Sequence, residues 1–76
     1  MSEPVVLDLR GVRCPLPIVR LNNHVKTLAP GERVTFVADD PAFELDIRAW
    51  ARRTGHELSL DASAADGVRG AITRVS

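Results

Sequence analysis

GVRCPLP, residues 11–17, decides the fold, because a strand pattern precedes it and a helix pattern follows it. Residues 5, 7 and 9 are apolar and would lie on one side of an extended chain, which predicts a β-strand over residues 5–9. Across residues 17–28 apolar residues recur at three- and four-residue steps, which predicts an amphipathic helix with one buried face. The stretch therefore joins the first strand to the first helix, and Gly11 permits the tight turn between them.

The rest of the chain predicts a second strand and a second helix, followed by two more strands. Pro30 and Gly31 end the first helix, and residues 33–38 predict a second strand. Asp40 is the expected N-cap of a second helix, with Pro41 at its first position and Gly55 beyond its end. Residues 57–61 and 71–75 predict two further strands, joined by a polar turn over residues 63–70.

This element order predicts an α/β (α+β) fold in a single domain over residues 1–76. Strands one and two are expected to run parallel through a right-handed crossover, and strands three and four to form a hairpin. The strands alternate apolar and polar residues, so one sheet face is expected to be covered and the other to face water. The prediction is a two-layer β-α-β-α-β-β sandwich, a four-stranded mixed sheet with two helices on one face.

Composition limits the classes of function. Ten basic and ten acidic residues cancel, which argues against a nucleic-acid-binding face. A single cysteine cannot close an intramolecular disulfide, and one cysteine with two histidines gives no zinc-type spacing. No metal and no cofactor are expected. With neither a secretory signal pattern nor an apolar segment of membrane-spanning length, we expect a cytoplasmic protein that has no membrane partner and is a monomer.

Cys14 is the candidate reactive group. It follows the first strand, and Asp39 and Asp40 follow the second, so parallel pairing places a thiol and two carboxylates at the same sheet edge. Pro15 and Pro17 disfavour the α region for the residues before them, which predicts extended backbone at Cys14 and at the residue between the prolines. We expect an exposed thiol that is reactive but not strongly acidic, because a nearby Asp40 would raise its pKa.

Simpler interpretations of these residues remain open. Free cysteine is among the most buried residue types, so Cys14 could be a packing residue, and Asp39 and Asp40 could only cap a helix. No general base is close in sequence, because His24 lies roughly 15 Å away along a helix. That spacing excludes a local Cys-His dyad for hydrolysis. A thiol without its own base is typical of a carrier whose partners perform the catalysis.

At residues 11–17 the sequence resembles the TusA/SirA-like family of small sulfur carriers, which carry a Cys-Pro-x-Pro motif. The similarity extends over nearly the whole chain. The further matching segments are Leu7-Asp8, Pro30-Gly31-Glu32, Ala38-Asp39-Asp40-Pro41, Asp46-Ile47, Trp50 and Gly55-His56-Glu57. Each of these segments is short, but their order and spacing together are specific.

The resemblance implies that Cys14 accepts sulfane sulfur as a persulfide and passes it on. The implied partners are a donor, either a cysteine desulfurase or a rhodanese, and a sulfur-accepting protein. Family destinations are transfer RNA thiolation, molybdenum cofactor assembly and oxidative sulfur metabolism. The branch that serves transfer RNA has an acidic residue where this chain has Leu16, which indicates a different docking surface.

We interpret the motif residues as presenting the thiol and a second set of residues as the surface on which partner proteins dock. The presenting residues are Gly11, Arg13, Pro15, Leu16 and Pro17, and the docking residues are Asp39, Asp40 and Arg20. Two other classes of function stay open. One is an interaction or regulatory module in which Cys14 is incidental, and the other is a small RNA-binding domain, although no direct nucleic-acid partner is expected. A thiol peroxidase or reductase is least favoured, because the chain has no resolving cysteine.

Overall fold

A computed structural model describes residues 6–61 and 67–75 as a four-stranded mixed sheet with two helices. The elements in chain order are β1 Val6–Leu9, α1 Leu16–Val25, β2 Arg33–Ala38, α2 Phe43–Thr54, β3 Glu57–Asp61 and β4 Val68–Thr73. The strands lie in the order β1-β2-β4-β3, with β1 parallel to β2 and β4 antiparallel to both of its neighbours. The predicted fold class is confirmed. Val5 and residues 63–66 of the predicted turn lie outside the described residues.

The core lies between the sheet and the helices. The buried side chains that form it are Leu9, Val34, Phe36 and Ile72 from the strands and Leu21, Val25, Phe43, Ile47 and Trp50 from the helices. Phe36 and Phe43 meet edge to face with ring centroids 5.4 Å apart, a geometry that adds about 1 kcal/mol to the burial of the two rings. This contact fixes the start of α2 against the centre of the sheet.

The first helix starts one residue before the prediction and ends three residues before it. Extended backbone was predicted for Leu16, but this residue is the first of α1. Proline is tolerated in a first helical turn, where its missing N–H has no intrahelical partner, and Pro17 is fully buried there. At the other end, the Arg74 guanidinium donates to the carbonyl oxygens of Val25, Lys26 and Leu28 at 3.3, 3.2 and 2.6 Å. Of these three carbonyls only that of Val25 belongs to α1, and it also accepts from the Leu28 N–H at 3.0 Å. The guanidinium therefore holds the segment that follows the helix.

The second helix begins two residues later than predicted. Its regular part starts at Phe43, and residues 41–42 form a turn in front of it. The N-cap is Ala42 and not Asp40 as predicted, and no side chain caps the helix. The Asp40 carboxylate accepts a hydrogen bond from the Ala42 N–H at 3.2 Å, and the Asp40 carbonyl accepts one from the Phe43 N–H at 2.9 Å, so Asp40 holds the turn. Gly55 ends the helix in the left-handed conformation with φ of 81°, as predicted.

The fourth strand was predicted too late in the chain. It spans Val68–Thr73, whereas the sequence analysis predicted a polar turn over residues 63–70 and a strand over residues 71–75. Gly70 is instead a strand position where no side chain fits. An added Cβ would collide with the Ser59 carbonyl oxygen and lie 2.8 Å from the Phe36 ring. The glycine therefore serves close packing in the centre of the sheet.

Candidate functional site

Two loops meet at one edge of the sheet because β1 and β2 end level with each other. In the parallel ladder Leu9 lies opposite Ala38, the last residue of each strand. The chain then continues from β1 into residues 10–15 and from β2 into residues 39–42. This register brings the loop that carries Cys14 next to a pair of aspartates, as the sequence predicted.

Asp39 holds the first part of the Cys14 loop. Its Oδ1 accepts a hydrogen bond from the Gly11 N–H at 2.9 Å, and the Arg13 guanidinium lies 3.4 Å from the same oxygen. Gly11 has φ of 79°, a conformation that favours glycine. The ion pair with Arg13 is exposed to solvent and adds little stability, so the bond to the Gly11 amide is the main link.

Asp40 holds the cysteine itself. Its Oδ2 accepts a hydrogen bond from the Cys14 N–H at 2.5 Å, while its Oδ1 bonds the Ala42 N–H. One carboxylate thus joins the backbone of the reactive loop to the start of α2. The Cys14–Pro15 peptide bond is cis. Asp40 is not the N-cap that the sequence predicted, and it holds instead the turn in front of α2 and the Cys14 loop.

The Cys14 thiol is exposed and lies beside a third carboxylate, Asp46 of α2. The pKa of the thiol is raised, first because its side chain is hydrogen-bonded to Asp46 and then because it is partly desolvated. The negative charges of Asp46 and Asp40 raise it further. The sequence predicted this direction, but it named Asp40 as the cause and missed Asp46.

A groove between α1 and α2 extends from the thiol, and we call it the helix groove. It consists of two adjoining hollows of about 250 and 340 Å³. Its lining residues are Cys14, Pro15, Ile18, Val19, Asn22, Asp46, Ala49, Trp50, Arg53 and Thr54. The Trp50 indole N–H donates to the Asn22 Oδ1 at 3.3 Å and links the two walls. Pro15, Ile18, Trp50 and Arg53 line both hollows.

The other predicted site residues lie around this groove or apart from it. Leu16 is half exposed at the start of α1. Arg20 is exposed on α1 but is not among the residues that line the helix groove. Within residues 6–61 and 67–75, no group of three or more His, Cys, Asp or Glu side chains is arranged to hold a metal ion. In the same residues, no helix has the length and apolar character needed to cross a membrane.

Comparisons with known proteins show the family of this chain. Residues 5–74 match the protein family described as sulfurtransferase TusA. The sulfur carrier protein TusA of Pseudomonas paraeruginosa is 42% identical over 60 residues, which cover 76% of each chain. The protein YrkF of Bacillus subtilis is 42% identical over 57 residues. The chain spans only 31% of YrkF and 29% of a relative from Aquifex aeolicus, so both of these proteins are much longer.

A solved structure shares the fold. The crystal structure of a SirA-like protein from Desulfitobacterium hafniense superposes with a TM-score of 0.81, covering 95% of this chain and 99% of the other. The two sequences are 19% identical. The same two-helix, four-stranded architecture is thus built from largely different residues.

Proposed function

Because the chain belongs to the TusA sulfurtransferase family, we propose that Cys14 carries sulfane sulfur as a persulfide between a donor protein and an acceptor protein. The observation that carries the proposal is an exposed thiol whose backbone amide is held by Asp40, at the end of an open groove. A free thiol held in this way can meet the reactive cysteine of another protein without a large rearrangement.

Loading is a thiol–persulfide exchange. The Cys14 thiolate attacks the terminal sulfur of the donor's persulfide, so an S–S bond forms on Cys14 while the donor's S–S bond breaks. The donor cysteine leaves as a thiolate and takes up the proton that Cys14 lost. Delivery repeats the exchange, with the acceptor's thiolate attacking the outer sulfur of the Cys14 persulfide. No net oxidation or reduction occurs in either step.

Because the pKa of Cys14 is raised, a partner protein has to help to form the thiolate. Since the thiol is mostly protonated at neutral pH, the group that takes its proton has to be within reach when the donor docks. Asp46 lines the same hollow as the thiol and could take that proton. A donor that presents a cation or a base at the docking site would favour the thiolate.

The partners and the pathway that we propose are those that membership of the family implies. The donor is a cysteine desulfurase or a rhodanese, and the transfer takes place in the cytoplasm, where thiols stay reduced. The acceptor serves transfer RNA thiolation, molybdenum cofactor assembly or sulfur oxidation. Leu16 is half exposed and lies two positions after Cys14, so exchanging Leu16 for Glu tests which of these acceptors the surface selects.

The experiment that tests this function measures the transfer of labelled sulfur to this protein. A cysteine desulfurase is supplied with radiolabelled cysteine, and the label bound to this protein is measured with and without a reductant. The parent protein should acquire label that a reductant removes, whereas Cys14→Ser should acquire none. Equal labelling of the two proteins would overturn the proposal. Equal function of the two proteins in cells would favour the interaction module in which Cys14 is incidental.

A further inference from the structure

The smaller hollow of the helix groove has side chains of both charges in its wall. Beside the Cys14 thiol it is lined by the Asp46 carboxylate and the Arg53 guanidinium, both from α2. The other lining residues are uncharged and are Pro15, Ile18, Ala49 and Trp50. A small molecule that reacts with the thiol would therefore lie within reach of one negative and one positive group.

Helical spacing places these two charged residues on the same face of α2. Asp46 and Arg53 are seven residues apart, which is about two turns and roughly 10 Å along the helix axis. The Cα–Cβ bonds of a helix tilt toward its N-terminus, so the long Arg53 side chain extends in the direction of Asp46. The two charges therefore act on one ligand position and not on two separate sites.

The two charged groups do not neutralise each other. Within residues 6–61 and 67–75 the Arg53 side chain forms no ion pair and no hydrogen bond, whereas Arg48 of the same helix pairs with Glu44 at 3.2 Å. The planar guanidinium matches a carboxylate. The two oxygens of the Asp46 carboxylate accept more than one hydrogen bond, so an ammonium group can donate to it beside the thiol.

The size of the hollow selects a small molecule. Its volume is about 250 Å³, below the range of roughly 300–1,000 Å³ that is usual for pockets that hold drug-sized ligands. A free amino acid has a carboxylate and an ammonium group on the same carbon and is smaller than such a ligand. Its two charges are complementary to Arg53 and Asp46.

We propose that this hollow binds the persulfide of a free amino-acid thiol, with its carboxylate on Arg53, its ammonium group on Asp46 and its outer sulfur at Cys14. This inference rests on the proposed function, since it assumes that Cys14 accepts sulfane sulfur. The Cys14 thiolate attacks the outer sulfur, so an S–S bond forms on Cys14 while the S–S bond of the small persulfide breaks. The amino-acid thiolate leaves and takes up the proton that Cys14 lost. A small molecule thus loads Cys14 without a protein donor.

Small symmetrical disulfides test this recognition without any sulfane sulfur. Cystine carries both charged groups, dithiodipropionate only the carboxylate, cystamine only the ammonium group, and hydroxyethyl disulfide neither. The Cys14 thiolate attacks one sulfur, that half becomes disulfide-bonded to Cys14, and the other half leaves as a thiol. The rate of attachment is measured by intact mass and divided by the rate of hydroxyethyl disulfide with the same protein variant. This relative rate cancels any change in the thiolate population, and its comparison between variants cancels the reactivity of each disulfide.

The relative rates should respond to each charge separately. Arg53→Gln should lower the relative rate of dithiodipropionate about two- to fivefold at low salt, the range of an exposed ion pair, and should not lower that of cystamine. Asp46→Asn should have the opposite pattern. Cystine should lose relative rate in both variants, because it uses both groups. These differences should shrink in high salt. Arg52→Gln changes an exposed residue that lines neither hollow and should leave all three relative rates close to those of the parent.

Cystine is the decisive probe, because the average field of the protein acts with opposite signs on its two charged groups. A relative rate of cystine that neither Arg53→Gln nor Asp46→Asn changes would overturn the inference. Equal effects of Arg53→Gln and Arg52→Gln would also overturn it, since net charge alone would then explain the preference. Because the probes carry no sulfane sulfur, a failure here is distinct from a failure of Cys14 to acquire sulfur from a desulfurase.

Discussion

Cys14 and Asp46 line the same hollow, although Asp46 comes from the second helix and lies 32 positions later in the chain. Hydrogen bonding to Asp46 raises the pKa of the Cys14 thiol, and so do its desolvation and the negative charges of Asp46 and Asp40. The pKa of Cys14 is raised for these reasons, so its thiolate population grows only as the pH rises above the usual range for cysteine. We therefore expect the thiol to be alkylated slowly at neutral pH.

Replacing Asp46 with Asn should therefore make Cys14 more reactive. The substitution removes the negative charge and weakens the bond to the thiol, so the pKa of Cys14 falls and more thiolate is present at neutral pH. The rate of alkylation by iodoacetamide, measured across pH, should rise several-fold at pH 7 and its midpoint should move to lower pH. Glu44→Gln removes a carboxylate of the same helix that pairs with Arg48 and should leave the profile unchanged. Superimposable profiles for Asp46→Asn and the parent would contradict this account.

The two aspartates of the second loop should have separable effects on the first loop. Asp40→Ala removes the acceptor of the Cys14 N–H, and Asp39→Ala removes the acceptor of the Gly11 N–H. Amide hydrogen exchange should show lost protection at residue 14 in the first variant and at residue 11 in the second. Each variant should lose about 1 kcal/mol in the free energy of unfolding. Equal loss of protection at both amides in both variants would mean that the loop opens as one unit.

The Arg74 side chain should contribute measurably to stability through the segment that follows α1. Arg74→Met removes the donor to three backbone carbonyls and should lower the free energy of unfolding in urea by about 1–2 kcal/mol. Arg74→Lys should give an intermediate loss, because an ammonium group does not reproduce the planar guanidinium. Arg52→Met, at an exposed position of α2, should stay within about 0.5 kcal/mol of the parent. Matching losses at the two arginines would refute this role.

Two neighbouring apolar residues of α2 should differ sharply in their effect on stability. Ile47 is fully buried in the core, whereas Leu45 is 76% exposed. Ile47→Val should cost about 0.5–1.5 kcal/mol and Ile47→Ala about 2–5 kcal/mol, a large share of the stability of a small domain. Leu45→Ala should be nearly neutral. Urea unfolding followed by the fluorescence of Trp50, the single tryptophan, measures both, and a large loss at Leu45 would place α2 in a different orientation.

The sequence predicted the features that depend on local pattern and on chain topology. Apolar periodicity gave the type and order of all six elements. The parallel pairing of the first two strands placed Cys14 near Asp39 and Asp40. That prediction needed only the rule that loops at the carboxyl ends of parallel strands share an edge, and the hydrogen bonds from Gly11 and Cys14 confirm it.

The sequence missed the features that depend on how elements pack. Whether Asp46 faces the thiol depends on where α2 starts and how it lies against α1, and neither is contained in the spacing of apolar residues. The one sign in the sequence that Asp46 belongs to the site was its position in a segment that matches the TusA/SirA-like family. In the same way, Arg74 reaches the segment after α1 from the far end of the chain. The strand position of Gly70 depends on its close packing against Ser59 and Phe36. This is a tertiary contact, so the local sequence pattern does not show it.

The measurement that tests the central claim most directly is the intact mass of the protein after incubation with a cysteine desulfurase and cysteine. The account predicts a gain equal to one sulfur atom, located by peptide mapping on Cys14, removed by a reductant and absent from Cys14→Ser. Asp46→Asn should show the same gain, because it retains the sulfur-accepting thiol. No gain with several desulfurases and rhodaneses, or a gain that persists in Cys14→Ser, would contradict the claim that Cys14 carries sulfur.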